Sequence, residues 1–135
     1  MSAEPGLDAL QRSVDAIEGG YEYLLAYAAQ GLTTDEGQPN AEQLRAYLAR
    51  MDEGIAGLEA ACRDAIAAAG VPAQHLEAFL QVLGRDAAEA LAALRVVSGM
   101  KGISSQLVDN LNASVHVRAL LTDLFLVDEA IKGLR

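Results

Sequence analysis

Apolar residues recur at alternating three- and four-residue steps along most of this chain, and this spacing constrains the fold more than any other feature. In the first stretch the series is Leu7, Leu10, Val14, Ile17, Tyr21, Leu24 and Ala28. Such spacing places apolar side chains on one face of an α-helix, and that face must be buried against other helices. Aromatic residues make up only 4% of the chain, which argues against a fold built from strands.

Two later stretches repeat the spacing, and a last stretch is apolar more widely; each is long enough for a helix. The second series is Leu44, Leu48, Met51, Ile55, Leu58, Cys62, Ala65 and Ala69, and the third is Leu76, Leu80, Leu83, Ala87, Leu91, Leu94 and Val97. The last stretch contains the segment 119–127, which is apolar over more than one stripe, so we expect it to be buried on more than one side. The sequence therefore predicts helices over about 7–30, 41–69, 72–98 and 104–134.

Glycine, proline and capping residues mark the ends of the predicted helices. Gly70 and Pro72 predict a stop and a restart, and Asn40 with Gln43 resembles a capping box. Gly84 falls inside the third series, but the apolar phase continues across it, which favours one continuous helix.

The last predicted helix is expected to begin at a cap formed by Ser104 or Ser105. Four helices of this length with short connections pack as antiparallel neighbours. We therefore predict an all-α fold, a single domain over residues 1–135 built as an up-down-up-down antiparallel four-helix bundle.

The net charge of −9 argues against two classes of partner. Nucleic acid binding relies on Lys and Arg to neutralise phosphates, and anionic membrane surfaces attract basic segments. No apolar run reaches the ~18–20 residues of a spanning helix, and the first residues lack the basic start and apolar middle of a signal peptide. Cys62 is the only cysteine, so no intrachain disulfide can form, and we expect a cytoplasmic protein.

Glycines from three predicted helices fall near one level of the bundle, which we call the waist: Gly19, Gly20, Gly54, Gly57 and Gly84. If the missing side-chain volume forms a pocket, its ligand-binding candidates are Tyr21, Met51, Ser114, His116 and Arg118. Arg118 would then hold a small anionic ligand. In the other interpretation the glycines allow close helix packing, and a buried Arg118 needs a carboxylate partner. The candidates for that partner are Glu18, Glu22, Asp52 and Asp86.

The chain lacks the motifs of catalytic and cofactor-binding bundles. Di-iron bundles use a Glu-x-x-His motif, which is absent, and the two histidines, His75 and His116, are expected to lie far apart on different helices. No nucleophile has a neighbouring base in the sequence, and no glycine-rich loop follows a strand. We therefore predict no catalytic residue, no metal and no cofactor, and we favour a non-enzymatic role.

The tyrosines indicate a protein interface instead. Tyr23 and Tyr27 lie one turn apart, off the main apolar face of the first helix, and Tyr47 lies on the second helix. Tyrosine is enriched at interfaces because it combines a large apolar area with a polar tip. The sequence therefore predicts a soluble helical-bundle interaction module that forms a homodimer or binds another protein through these residues. The alternative is a bundle that binds a small molecule or cofactor at the waist.

Overall fold

The computed structural model describes residues 4–72, 74 and 76–134, and every regular element in them is an α-helix. The predicted all-α class is therefore confirmed. The helices are α1 (Glu4–Ala28), α2 (Ala41–Ala56), α3 (Leu58–Ala69), α4 (Glu77–Ser98), α5 (Ser105–Ala113) and α6 (Val115–Leu134). Within these residues they number six, so the predicted count of four is not reproduced. None of the six is both long enough and apolar enough to cross a membrane. His75, which the sequence places far from His116 on a different helix, lies outside the described residues.

Two predicted helices are interrupted in the structure. Gly57 separates α2 from α3, and Ser114, with an extended ψ of 147°, separates α5 from α6. Glycine is a weak helix former. The Ser114 hydroxyl accepts a hydrogen bond from the Val117 N–H at 3.3 Å, so it caps the first turn of α6 where α5 ends. The prediction of continuous helices across residues 57 and 114 is therefore wrong.

The connection between α3 and α4 is longer than predicted. Gly70 ends α3 with a φ of 70°, the left-handed conformation expected of a glycine after a helix. The predicted restart at Pro72 is wrong, because α4 begins at Glu77. From there α4 runs through Gly84 without a break, as the continuous apolar phase predicts.

The two predicted capping sites differ in outcome. Asn40 precedes α2, but its side chain makes no capping hydrogen bond, so the predicted capping box is wrong. The Ser104 hydroxyl accepts a hydrogen bond from the Leu107 N–H at 3.0 Å and caps α5, as predicted.

The apolar series form the core. α1 packs against α2, α3 and α5, while α4 packs against α2, α3 and α6. The largest fully buried side chains come from all six helices and include Ile17, Leu24, Leu44, Leu48, Leu58, Leu83, Leu94, Val108 and Leu120. Because an amphipathic helix gains most of its stability from packing of its apolar face, each helix depends on its neighbours.

An ion pair between the buried Asp35 carboxylate and the partly exposed Arg45, with its surrounding hydrogen bonds, connects the loop after α1, α2 and the loop after α4. The Asp35 carboxylate, 3% exposed, accepts hydrogen bonds from the Ile103 N–H at 2.8 Å and from Arg45 Nε at 3.0 Å. Arg45, on α2, also donates to three carbonyl oxygens at 3.0 Å, those of Ser98, Met100 and Lys101. The last carbonyls of a helix have no partner within it, so Arg45 also stabilises the end of α4. We call Asp35, Arg45 and these hydrogen bonds the clasp.

A second group of hydrogen bonds lies beside the clasp and fixes the start of α5 against the end of α1. The Ser105 hydroxyl donates to the Tyr27 carbonyl at 2.7 Å and accepts from the Leu32 N–H at 2.9 Å. The Tyr27 hydroxyl donates to the Ile103 carbonyl at 2.6 Å. All of these groups are buried or partly buried, where an unpaired polar group would be costly.

α5 and α6 pack mainly against different helices. α5 is held against α1, whereas α6, after the break at Ser114, runs along α4. Among the described residues, α1 and α6 make few close contacts. The fold therefore leaves an open boundary between the first half of α1 and the last half of α6.

We expect Asp35→Ala to lower the free energy of unfolding by about 3 kcal/mol, because it leaves Arg45 and the Ile103 N–H without their buried partner. Burial alone would raise the pKa of Asp35, but hydrogen bonds from Arg45 and Ile103 outweigh it and lower this pKa. The stabilisation is therefore present above about pH 4 and lost as the pH falls through the lowered value. Urea denaturation at pH 7 measures the effect.

The matched control is Asp52→Ala, which breaks the more exposed Asp52–Arg95 ion pair. Exposed pairs contribute about 1 kcal/mol or less, so this variant should remain close to the wild type. Equal losses in the two variants would contradict a special role for the clasp.

Candidate functional site

The waist glycines meet neighbouring side chains rather than open space at three of five positions. A Cβ at Gly20 would collide with the Met51 side chain, and one at Gly84 would collide with the Glu59 carboxylate. At Gly54, a Cβ would lie 3.1 Å from the Ser13 carbonyl oxygen of α1. Gly20, Gly54 and Gly84 therefore allow close packing between adjacent elements.

The five predicted ligand-binding residues are spread over the molecule. Met51 is buried beside Gly20, and Tyr21 is partly buried on α1. Ser114 forms the cap between α5 and α6, while His116 and Arg118 are exposed. None of the five lines any of the clefts described below. The structure thus does not bring them together around a pocket, and Arg118 is not the buried, paired arginine of the packing interpretation.

His116 has one polar neighbour on the adjacent helix. Its Nδ1 lies 3.7 Å from Oε1 of Glu89 on α4, and both side chains are exposed. Asp52, one of the carboxylates considered for Arg118, instead accepts two hydrogen bonds from Arg95, at 2.8 and 3.0 Å. Asp52 and Arg95 therefore form an ion pair between α2 and α4.

The three predicted interface tyrosines do not form one exposed surface. Tyr27 is fully buried and belongs to the hydrogen bonds that hold α5 on α1, so it is absent from the exposed face that the sequence predicts. The Tyr23 and Tyr47 rings stack on each other with centroids 4.3 Å apart, and Arg50 lies 4.5 Å from the Tyr47 centroid. The two rings thereby cover each other on the seam between α1 and α2.

The open boundary between α1 and α6 forms an apolar cleft of about 160 Å³. Three aliphatic side chains from each helix line it: Leu7, Leu10 and Val14 of α1, and Leu124, Val127 and Ile131 of α6. Three polar side chains, Gln11, Asp128 and Lys132, complete its lining, and all three are exposed. The cleft is therefore apolar inside and polar at its rim, the composition typical of a binding site for an apolar group.

An exposed aromatic ring lies beside this cleft. Phe125 follows Leu124 directly on α6, and 64% of its surface is exposed. Asp128 and Lys132 lie three and seven residues further along the helix, a spacing that places them on the same face as Phe125. Phe125 and the rim of the cleft therefore share one side of the molecule. Leu126 is also exposed, at 47%, but it projects about 100° away around the helix.

A second, wider groove follows α1 on the side of α2 and α3. Its volume is about 650 Å³, and small side chains and glycines make up most of its floor. Its charged lining consists of Arg12, Arg50, Glu53 and Asp64. Because these charges carry both signs and are exposed, the groove shows no preference for a particular ligand.

A buried acid faces α4 from α6. Asp123 is 6% exposed, and its Oδ2 atom has no hydrogen-bond partner among the described residues. Burial, together with the neighbouring Asp86 carboxyl of α4, raises the pKa of Asp123 to about 7. Two carboxyls alone do not make a metal site, and in the part of the chain that the structure describes no three His, Cys, Asp or Glu side chains are arranged to hold a metal ion.

No protein-family model, curated protein or solved structure matches this chain. The candidate feature is the α1–α6 cleft, whose aliphatic lining also packs in or against the core, together with the exposed ring of Phe125 beside it.

Sequence reasoning missed this cleft because its lining residues belong to the regular apolar series. Leu7, Leu10 and Val14 carry the same spacing as core residues further along α1. The available signal was Phe125, a large apolar residue within a segment that is apolar beyond one stripe. That width indicates an additional surface, but it does not show whether the surface faces the core or solvent.

We expect Asp123→Asn to make the free energy of unfolding less dependent on pH. Between about pH 4 and pH 7 the folded protein keeps the Asp123 proton while the unfolded chain releases it, so stability falls as the pH rises through this window. Asn carries no charge, so the variant should be more stable than the wild type at pH 8, by about 1–3 kcal/mol. Urea denaturation at pH 5 and pH 8 measures both quantities.

Asp128→Asn is the control, because Asp128 is exposed and pairs with Lys132 at the surface. It should retain the pH dependence of the wild type. An Asp123→Asn variant whose stability falls from pH 5 to pH 8 as steeply as that of the wild type would show that Asp123 does not hold its proton in the folded state.

Proposed function

We propose that this chain is a non-enzymatic helical interaction module that associates with a second copy of itself or with another protein through the α1–α6 cleft. The observation that carries the proposal is the cleft itself, about 160 Å³ in volume and lined by six aliphatic side chains. An apolar surface that is open to water gains free energy when a partner covers it.

The proposed scaffold is a bundle of four rods, in which α2 with α3 and α5 with α6 each form one broken rod. Packing of α1 on α2, of α2 and α3 on α4, and of α4 on α6 supports this arrangement. The boundary between α1 and α6 contains the apolar cleft. A partner that inserts an apolar side chain there would complete the missing contact of the bundle.

The interaction surface that we propose differs from the one predicted from the tyrosines. Tyr27 is buried, and Tyr23 and Tyr47 are stacked against each other, so their apolar area is already partly covered. The small-molecule alternative at the waist has less support, because Met51 and Glu59 cover Gly20 and Gly84. The cytoplasm remains our proposed location, and the single cysteine of the chain supports it.

We expect Val14→Phe to abolish association, because the new ring occupies the cleft from within. Sedimentation velocity should show concentration-dependent association of the wild type and a monomer for the variant over the same range. The helix content and melting temperature of the variant should remain close to those of the wild type, since the added ring enters existing space.

Val96→Phe provides the matched control, because Val96 lies exposed on α4, outside the lining of the cleft. This variant should associate as the wild type does. A wild type that remains monomeric at every concentration would contradict the proposed self-association, and so would equal association of the Val14→Phe variant and the wild type.

A further inference from the structure

We propose that the occupant of the α1–α6 cleft is Phe125 of a second copy of this chain, and that the insertion is reciprocal, giving a dimer with two-fold symmetry. This inference rests on the proposed function and names the partner of the same site. Four observations support it: the size of the cleft, the exposure of Phe125, the placement of both on one side of the molecule, and the charges at the rim.

The volume of the cleft suits one aromatic ring. A cavity of about 150 Å³ lined by aliphatic side chains accommodates benzene, and this cleft measures about 160 Å³. Its polar residues lie at the rim, so the floor offers only apolar contacts to an entering group. A phenyl ring needs no hydrogen-bond partner, and it therefore matches this lining better than a tyrosine or a charged side chain does.

The position of Phe125 allows each copy to donate one ring and accept one. Phe125 shares a face of α6 with the rim residues Asp128 and Lys132, so the ring and the opening of the cleft point to the same side. A two-fold rotation brings the same surface of both copies together. Under that rotation, the ring of each copy meets the cleft of the other.

The rim charges are balanced within each copy, so two rims can meet without a net charge on either. Asp128 and Lys132 form an ion pair at 2.8 Å, so each rim presents one charge of each sign. The net charge of −9 on each copy opposes association over longer distances. Because salt screens this repulsion, the dimer should become tighter as the ionic strength rises.

The two-ring contact is small, and we therefore expect a weak dimer with a dissociation constant in roughly the micromolar range. Most of its affinity should depend on Phe125, because a few buried aromatic side chains dominate the energy of small interfaces. Leu126 is the natural control, since it is the next residue and is also exposed, but it lies on a different side of α6.

Sedimentation equilibrium on the full chain in about 0.5 M NaCl, where repulsion is screened, tests the inference. Phe125→Ser should weaken association by at least about tenfold, whereas Leu126→Ser should leave it within about twofold of the wild type. Circular dichroism establishes that both variants fold; both replaced side chains are exposed, so neither substitution opens the core.

A mixing experiment then tests reciprocity. Phe125→Ser lacks the ring but keeps the cleft, and Val14→Phe keeps the ring but has a filled cleft. At concentrations where neither variant associates alone, an equimolar mixture should form a heterodimer, because the ring of one chain enters the open cleft of the other. With one of the two contacts intact, its affinity should fall between that of the wild type and those of the separate variants.

The outcomes separate this inference from the proposed function. If the wild type associates and Phe125→Ser associates equally well, Phe125 is not the occupant, although a self-associating module remains. If Phe125→Ser and Val14→Phe are each monomeric and their mixture remains monomeric as well, the insertion of Phe125 into the cleft is overturned. If the wild type shows no association at any salt concentration, the inference and the proposed self-association fail together.

Discussion

The arrangement of the helices depends on the ion pair between the buried Asp35 carboxylate and the partly exposed Arg45. Asp35 lies in the loop after α1, Arg45 lies on α2, and their hydrogen bonds reach the loop between α4 and α5. A buried carboxylate is tolerated only when its oxygens are paired. Because these partners come from three separate parts of the chain, the charge can be satisfied only when those parts meet. The clasp thus favours one placement of the loops over the alternatives that apolar packing alone would allow.

The clasp also fixes where α5 begins. It holds Ile103 and the start of α5 at the end of α1, next to the hydrogen bonds of Ser105 with Tyr27. Ser114 then ends α5 and begins α6, which packs on α4. A straight helix in this position would be expected to follow α1 along its whole length. Three aliphatic side chains of α1 and three of α6 line the cleft that remains between the two helices, and all six also pack in or against the core.

Much of the fold could be predicted from the sequence, because helical spacing is a local property. The apolar series anticipate which faces are buried, and the continuity of α4 across Gly84 follows from their phase. The break at Gly57 leaves the phase of the second series unchanged, so periodicity alone could not reveal it. At Ser114 the phase changes, because the buried apolar positions pass directly from Leu111 to Val117. The clasp could not be predicted from the sequence for a different reason. Asp35 and Ile103 are 68 residues apart, and no local sequence pattern indicates that they pair.

The candidate site was harder to predict than the fold. The sequence shows that Val14 and Leu124 are apolar and on the right faces, but it does not show that the helices carrying them diverge. Tyr27 shows the opposite difference. Its position off the main apolar face of α1 indicates a surface residue, but the side chain is buried and its hydroxyl donates to the Ile103 carbonyl. Both differences arise from long-range packing, which decides whether a given apolar face meets the core, solvent or a partner.

An isotope-filtered nuclear Overhauser experiment on a mixture of labelled and unlabelled chains tests the central claim most directly. The account predicts intermolecular contacts between the Phe125 ring protons of one copy and the methyl groups of Leu10 and Val14 in the other. Intermolecular contacts from Tyr23 and Tyr47 in place of Phe125 would contradict it, as would the absence of any intermolecular contact at concentrations where the ultracentrifuge detects a dimer.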